Sequence, residues 1–490
     1  MKHTPVAIMW FRQDLRLKHN PALLSALQSR LPIVFVYIFS EDDHYPWSMG
    51  GASRWWLHQS LSALEAQLRE RNHGLVIRQG NSLAALQALI QDTHATHVYW
   101  NRCYEPHRRS EDLQIREALR AIHVTTHEYN GSLLIDPEDF TNNSGRPYQV
   151  FTPFWKRYLS ETIKTTTTSL PVDLPTPKAQ LDSIPLKQLG LEPTIDWANG
   201  IRAAWTPGEA GALKQFKRFV TSRCIAYEQD HDRPDRDHTS QLSPHLHFGE
   251  VSPQQVWSHL SNRLVSDQRK PFHRGTTAVL RQLAWRDFSY HLLYHYPHTP
   301  LQPLREKFAT FKWESNPTAL RNWQRGVTGY PFVDAGMRQL WKTGWMHNRV
   351  RMVVASFLTK HLLLPWQRGA EWFWDTLVDA DLANNTMGWQ WVAGCGADAA
   401  PYFRIFYPIT QGLKFDPAGE YVSHWIPELA KLPVPWIHKP WEAPPLLLAE
   451  HGITLGTTYP YPIVDHHKAR QRALAAFAAL KKHGPGASPL

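Results

Sequence analysis

Polar side chains that could bind a ligand are concentrated in a few parts of this sequence. Asp379 and Asp381 are two residues apart and are followed by Asn384 and Asn385. Carboxylates and amides grouped in this way are most often surface-turn residues. They also offer hydrogen-bond acceptors and donors to a bound molecule. The segment is therefore a candidate ligand-binding site, and a surface turn is the alternative.

Hydroxyl groups cluster in HTSQLSPHLHFGEVSP (His238–Pro253), at Thr239, Ser240 and Ser243. Hydroxyls and backbone N–H groups at the start of a helix suit the oxygens of a diphosphate. The alternative is that these residues only cap a helix. The segment alone leaves both interpretations open.

Aromatic and polar residues share predicted helix faces farther along the chain. Gln282, Trp285 and Arg286 stand at i, i+3 and i+4, which places them on one face of a helix. Asn348 and Met352 are four residues apart and also share a face. For Trp285 and Met352 the alternative is ordinary core packing.

Two tryptophans, Trp389 and Trp391, are two residues apart. If this segment is extended, their rings point to opposite sides. We therefore expect the two rings to face different partners.

The composition limits the class of protein. The 490 residues carry a formal net charge of +10, and such an excess favours polyanionic partners, nucleic acid first, although a solvated basic surface is the alternative. The 22 tryptophans exceed ordinary usage and indicate stacking or redox work besides packing. No apolar run reaches the roughly 18 residues of a membrane span, and Arg12 and Asp14 interrupt the first apolar stretch, which excludes a secretory signal.

The three cysteines are Cys103, Cys224 and Cys395. Their number is odd and they are far apart, so neither a disulfide framework nor a zinc site is predicted. We expect no metal and a reducing, cytoplasmic location.

The first 135 residues alternate strand and helix patterns. Asn20-Pro21 predicts a helix start, and apolar spacing predicts a helix over Ser53–Arg71. Alternating strands and helices indicate a doubly wound parallel sheet, a Rossmann-like fold, but no GxGxxG motif is present. The predicted strands are Val6–Phe11, Pro32–Phe39, Gly74–Gly80, His97–Asn101 and His123–Tyr129.

Regular patterns fade over residues 136–205, which we predict to be an interdomain linker with a Thr- and Pro-rich surface stretch at Lys164–Lys178. From residue 206 to 490 the apolar spacing is helical, for example over Thr277–His295, Tyr330–Thr343 and Asn348–Leu364. The fold class is therefore α/β followed by all-α.

Several long motifs, in order, resemble the photolyase/cryptochrome family. They are MWFRQDLRLKHNPAL (Met9–Leu23), LAWRDFSYHLLYHYP (Leu283–Pro297), TGYPFVDAGMRQL (Thr328–Leu340), TGWMHNRVRMVVASFLTK (Thr343–Lys360) and DADLANNTMGWQWVAGCGADAAPYFRIFYP (Asp379–Pro408). The resemblance implies an N-terminal antenna domain and a C-terminal helical domain that holds FAD, active as FADH⁻.

The resemblance also assigns cofactor-binding positions. In the family, the residue that matches Asn385 faces N5 of the flavin, where an amide can respond to the redox state of the ring. The positions that match flavin-contacting residues are Tyr227, Thr239, Ser240, Gln241, Leu242, Ser243, Arg351, Asp379, Asp381 and Asn385.

By the same resemblance, Trp285 and Trp391 line the pocket for a flipped-out pyrimidine dimer, and flipping is cheaper because a dimer is already poorly stacked. The other positions that match DNA contacts are Gln282, Asn348 and Met352 toward the lesion and Arg286 and Arg349 toward phosphates. Trp389 and Trp366 match the tryptophan relay that photoreduces the flavin.

Two departures from the family pattern matter. Gln282 stands where class I dimer photolyases usually have Glu, so the position cannot supply a carboxylate. The usual distal relay tryptophan is replaced by Lys307-Phe308, and Trp341 or Trp313 is the candidate replacement. The WRDF and NNTMGWQW sequences are most similar to class III dimer photolyases.

Class III resemblance implies a methenyltetrahydrofolate antenna in preference to a deazaflavin. The segments Gly50–Leu61 and Asn101–Arg109 lie where antenna motifs occur, and Cys103 is expected to be a packed thiol.

The resemblance implies a monomeric deoxyribodipyrimidine photo-lyase that acts on DNA containing cyclobutane pyrimidine dimers, with no membrane association. A (6-4) photolyase would need a His pair near the lesion, but one position of that pair is Asn348. A cryptochrome photoreceptor is the main alternative, and cryptochromes often carry a long C-terminal extension.

Overall fold

The computed structural model describes residues 5–40, 47–161, 163, 181–266 and 270–482. The predicted surface stretch Lys164–Lys178 lies outside these described residues. Within them, no helix is both long and apolar enough to cross a bilayer.

Five strands form one parallel sheet, as the alternating pattern predicts. They are β1 (Val6–Phe11), β2 (Ile33–Phe39), β3 (Leu75–Gln79), β4 (Ala95–Asn101) and β5 (Thr125–Tyr129). Their order is β3-β2-β1-β4-β5, with β1 in the centre, where Ile8 pairs with Val34 on one side and Val98 on the other. The doubly wound fold is confirmed.

The central strands are apolar throughout because helices cover both faces of a parallel sheet. Every residue of β1 and β2 is buried. The first helix begins as predicted, since the Asn20 side chain accepts a hydrogen bond from the Leu23 amide at 3.1 Å and Pro21 is the first helical residue.

Helices make up the rest of the regular structure in the described residues. Those up to residue 266 are α1 (Pro21–Gln28), α2 (Gly51–Arg69), α3 (Ser82–Thr93), α4 (Pro106–Ala121), α5 (Phe151–Leu159), α6 (Asn199–Ala204), α7 (Glu209–Ser222), α8 (Tyr227–Asp230), α9 (Ser243–His247) and α10 (Pro253–Ser266). The later ones are α11 (Lys270–His295), α12 (Pro317–Arg325), α13 (Pro331–Thr343), α14 (Asn348–Ser356), α15 (Trp366–Thr376), α16 (Leu382–Ala393), α17 (Pro408–Phe415), α18 (Glu420–Trp425), α19 (Pro445–Glu450) and α20 (His466–Lys482).

The chain divides into two compact units. Unit 1 contains Met1–Ile225, Ser240–Pro297 and Val378–Asp381, and unit 2 contains Ala226–Thr239, His298–Leu377 and Leu382–Leu490. Each unit combines separate stretches of chain. The domain boundaries at residues 135 and 205 therefore stay predictions.

In unit 1, buried polar groups follow the carboxyl end of β1. The Arg12 guanidinium donates to both carboxylate oxygens of Asp112, at 2.6 and 3.0 Å, and to the Asn101 carbonyl. Arg16 donates to the backbone carbonyls of Gly249 and Gly131, each at 2.8 Å. The FRQDLR motif therefore supplies buried cations that satisfy carbonyls of distant segments within unit 1.

In unit 2, the predicted helix over Asn348–Leu364 is interrupted. Helix α14 ends at Ser356, and the backbone continues through Phe357–His361 as a π-helix. Lys360 lies in this turn with its ammonium on the Arg404 carbonyl at 2.8 Å, and burial lowers the pKa of Lys360 to about 7.

Replacing Asp112 by Asn should lower the free energy of unfolding by about 3 kcal/mol, because the buried Arg12 cation would lose its counter-charge. Urea unfolding followed by tryptophan fluorescence measures this difference. Glu65→Gln is the control, because the Glu65–Arg69 pair is solvent-exposed and should contribute less than about 0.5 kcal/mol. Equal effects of the two substitutions would contradict the structural role of Asp112.

Candidate functional site

The predicted site residues occur in both units. Unit 1 holds Ser240, Gln241, Leu242, Ser243, Gln282, Trp285, Arg286, Asp379 and Asp381. Unit 2 holds Tyr227, Thr239, Asn348, Arg349, Arg351, Met352, Trp366, Asn385, Trp389 and Trp391.

The two acidic residues of the predicted site in unit 1 are buried and are therefore not surface-turn residues. Asp379 is 8% and Asp381 4% exposed. The Tyr290 hydroxyl on α11 donates to Oδ2 of Asp381, and Nδ1 of His247 on α9 lies 3.4 Å from the same oxygen. Tyr290 follows Arg286 by four residues, so helical spacing from Arg286 could have identified it.

Asp381 remains charged despite its burial. Burial alone would raise its pKa, but the hydrogen bonds from His247 and Tyr290 and the positive charge of Arg286 outweigh it and lower the pKa of Asp381 to about 2. The cluster therefore holds a carboxylate that accepts hydrogen bonds at neutral pH.

Arg286 faces the protein. It is 9% exposed, its Nη1 donates to the Ser132 carbonyl at 2.6 Å, and its guanidinium lies 4.9 Å from the centre of the Tyr290 ring. Its positive charge stabilises Asp381. The contact of Arg286 with a DNA phosphate stays a prediction.

Trp285 is partly exposed and has one face covered by another aromatic ring. It stacks on Phe151 with 3.5 Å between ring centres and 7° between planes, and Arg281 lies 5.4 Å from the Phe151 ring centre on the same unit. Phe151 begins α5, a helix that our prediction of a linker over residues 136–205 missed. Gln282, one turn before Trp285, is exposed.

The segment from Ser240 to Ser243 is fixed from its own unit. Nε2 of Gln215 donates to the Ser240 carbonyl at 3.0 Å and to the Gln241 side chain at 3.2 Å. Gln241 adopts a left-handed backbone, with φ of 53°, a conformation that costs free energy and is most frequent at functional sites.

In unit 2, α15 and α16 pack closely around two predicted residues. A Cβ atom at Gly369 would lie 2.0 Å from Cη2 of Trp389, so glycine is required for this ring to lie against α15. Nδ2 of Asn385 donates to the Ala370 carbonyl at 3.0 Å. Trp366, on α15, is buried like Trp389.

Trp389 and Trp391 both belong to helix α16, so this segment is not extended. Two residues along a helix correspond to about 200° of rotation, so the rings still diverge. Trp389 is 2% exposed and packs on Phe373 and Trp323, with ring centres 5.0 and 6.2 Å away, whereas Trp391 is partly exposed.

Both candidates for the outer relay position are found in unit 2. Trp341 is 59% exposed and stacks on Trp372 with 5.9 Å between ring centres and 5° between planes. Trp313 packs against Phe311 at 4.4 Å.

Helix α14 presents Asn348 at the surface and Met352 partly exposed, one turn later. Between them, Arg349 forms an ion pair with Asp232, a residue that the sequence did not single out. His347 caps the helix by accepting from the Arg349 amide at 3.2 Å, and burial lowers the pKa of His347 to about 4. His347 is therefore neutral at physiological pH.

Each unit offers groups of the kinds that bind a flavin nucleotide. In unit 1 these are the Ser240 and Ser243 hydroxyls and the Asp381 carboxylate, and in unit 2 they are the Thr239 hydroxyl and the Arg351 guanidinium. Within the described part of the chain, no group of three or more His, Cys, Asp or Glu side chains could hold a metal ion.

Comparison with known proteins identifies the family. Residues 279–479 match the family described as the FAD binding domain of DNA photolyase, and residues 7–178 match DNA photolyase. The chain is 46% identical to deoxyribodipyrimidine photo-lyase of Agrobacterium fabrum, over 98% of this chain and 99% of that protein. It is 37% identical to cryptochrome-2 of Arabidopsis thaliana, over 98% of this chain and 80% of that protein.

A solved structure is similar over nearly the whole chain. The crystal structure of a bacterial class III photolyase from Agrobacterium tumefaciens has a TM-score of 0.94 and 46% identity, covering 98% of both chains.

Replacing Tyr290 by Phe should destabilise the protein by about 2 kcal/mol at neutral pH, because the Asp381 carboxylate would lose a buried donor. The pKa of Asp381 is lower in the folded protein, about 2, than in the unfolded chain, about 4. Its contribution is thus complete above about pH 4 and is lost as the pH falls toward about 2.

The free-energy difference between wild type and Tyr290→Phe should therefore shrink over that pH window, as measured by urea unfolding at several pH values. The control is Tyr461→Phe, since Tyr461 is 60% exposed. A difference that is independent of pH would contradict the role given to Asp381.

Proposed function

Because this chain belongs to the DNA photolyase and cryptochrome family, we propose that it repairs cyclobutane pyrimidine dimers in DNA with blue light. The observation that carries the proposal is the similarity to a deoxyribodipyrimidine photo-lyase over 98% of the chain. The accessible positions of Gln282, Trp285, Asn348, Met352 and Trp391 support it, because residues that contact a substrate must be reachable.

FAD is the cofactor, as the FAD-binding family match over residues 279–479 supports. When bound, reduced and excited by light, FAD would supply the electron that opens the cyclobutane ring and would recover it afterwards. We propose that Arg351, Tyr227 and the segment Thr239–Ser243 bind the diphosphate side of the cofactor. Asp379 and Asp381 accept from its hydroxyl groups, and the Asn385 amide hydrogen-bonds at N5.

The protein binds and orients the lesion. The faces of Trp285 and Trp391 suit the two joined pyrimidines, and a dimer is easily unstacked from its neighbours. Phe151 lies flat against Trp285 and so fixes the orientation of the Trp285 ring. The Gln282 amide donates to and accepts from a pyrimidine without adding a negative charge, and Arg349 binds a phosphate beside the lesion.

A cryptochrome function is the alternative, and the 37% identity to cryptochrome-2 supports it. Repair is favoured because the identity to the photo-lyase is higher and the lesion-contact residues Trp285, Asn348, Met352 and Trp391 are all present. The (6-4) photolyase alternative is disfavoured by Asn348.

We further propose a methenyltetrahydrofolate antenna in preference to a deazaflavin, supported by the similarity to a class III photolyase. Cys103 is not proposed as a ligand, because burial raises the pKa of its thiol to about 12 and leaves it protonated. A monomer in the cytoplasm is proposed as well, and it agrees with the three free cysteines.

The function is tested by illuminating the reduced protein with an oligonucleotide that carries one thymine dimer. We expect the ultraviolet absorbance of the bases to recover under blue light and to stay constant in the dark. Absence of recovery with FAD bound and reduced would contradict dimer repair and favour the cryptochrome alternative.

Replacing Trp389 by Phe should abolish photoreduction of the bound flavin, because Trp389 and Trp366 are the proposed inner relay. Flavin absorbance under blue light with an external reductant measures this step, and chemically reduced Trp389→Phe should still repair dimers. Trp197→Phe is the control, since Trp197 is 36% exposed and belongs to unit 1. Retained photoreduction in Trp389→Phe would refute the relay assignment.

A further inference from the structure

Arg349, one of the proposed DNA-binding residues, forms an ion pair within unit 2. Nη2 of Arg349 donates to Oδ2 of Asp232, across 117 positions of sequence. The Arg349 side chain is 18% exposed and that of Asp232 29% exposed, so both groups are reachable from solvent. A pair this close to water contributes little to stability.

The surroundings of Arg349 attract anions. Arg349 is the second residue of α14 (Asn348–Ser356), and the first turn of a helix carries a partial positive charge that stabilises a nearby anion. A cation placed there adds to that charge, and the Asp232 carboxylate is the anion that balances it. A carboxylate in this position resembles a phosphate, which binds arginine and helix N-termini in the same way.

The guanidinium has unused bonding capacity and a fixed orientation. Nε of Arg349 is buried and has no hydrogen-bond partner within the described part of the chain. The guanidinium lies 4.5 Å from the centre of the Phe415 ring, a contact that holds its plane. Asp232 occupies Nη2 of the guanidinium, so a phosphate that binds at Nη2 must displace Asp232.

We propose that Asp232 is a built-in competitor for phosphate at Arg349 and sets the affinity of the protein for DNA. This inference rests on the proposed function, in which Arg349 contacts DNA. In the free protein the carboxylate neutralises Arg349, and a DNA phosphate must displace it. The competition weakens binding to damaged and undamaged DNA by the same factor. Damaged DNA compensates for the loss of affinity, because its flipped lesion adds contacts that undamaged DNA lacks.

The test is the replacement Asp232→Asn, which keeps the size of the side chain and removes its charge. We expect roughly 5-fold tighter binding to an undamaged duplex and to a dimer-containing duplex. The logarithmic dependence of binding on salt should keep its slope, because Arg349 neutralises the same phosphate in both proteins. Fluorescence anisotropy at several salt concentrations measures both quantities on the FAD-loaded protein.

The matched control is Asp230→Asn, which changes the net charge equally in the same segment but belongs to a pair with Arg236. It should change affinity by less than about 2-fold. A double-mutant cycle with Arg349→Ala isolates the interaction. In the Arg349→Ala background, Asp232→Asn should have no effect on binding.

Unchanged affinity in Asp232→Asn, together with weaker binding in Arg349→Ala, would contradict the proposed competition between Asp232 and phosphate. The proposed function would be unaffected by that result. Weaker binding in Asp232→Asn would also overturn it, because Asp232 would then position Arg349 for phosphate. If Arg349→Ala binds DNA as tightly as wild type, the proposed phosphate contact itself fails. Retained flavin absorbance and far-ultraviolet circular dichroism show that each variant is folded.

Discussion

The candidate site of unit 1 depends on keeping the buried Asp381 carboxylate charged and hydrogen-bonded. Removing an ionised carboxylate from water is costly unless several donors replace the solvent. In unit 1, Asp381 meets this condition through Tyr290, His247 and the charge of Arg286. Asp287, whose pKa burial raises to about 6, accepts at one oxygen from the backbone amides of Leu134 and Ile135 and from the Tyr158 hydroxyl. These contacts join α11 to segments distant in sequence and hold Asp381 in place.

Local patterns were sufficient for the α/β half of the fold. The strand VAIMWF and the helix start at Asn20-Pro21 are specified by residues within a few positions, and both are confirmed. Helix α16 was not predicted, because its asparagines, glycine and aromatic residues have low helix propensity. Its packing on Gly369 and the bond from Asn385 to Ala370 outweigh that propensity, and neither contact is visible in the local sequence.

For the candidate site, too, the local sequence identified individual side chains but not the partners that they contact. Side chains within long motifs were identified by type and spacing, and helical spacing correctly placed Gln282 and Trp285 together on α11. Partners supplied from far along the chain were missed. Phe151 is 134 positions before Trp285, and Asp232 is far before Arg349. The resemblance predicts a phosphate contact for Arg286, but it gave no sign of the contacts that this side chain makes with Tyr290 and Ser132 within the protein.

Conversion of the cyclobutane dimer, and not of the (6-4) photoproduct, distinguishes the proposed function from its alternatives. The most direct measurement is reversed-phase chromatography of the strands after blue-light illumination of the reduced protein, because repair changes the retention of a strand although it leaves the mass unchanged. The mixture contains three oligonucleotides of different length: one with a cyclobutane dimer, one with a (6-4) photoproduct and one undamaged. The account predicts that only the dimer strand yields two intact thymines. Conversion of the (6-4) strand, or of none of the three, would contradict it.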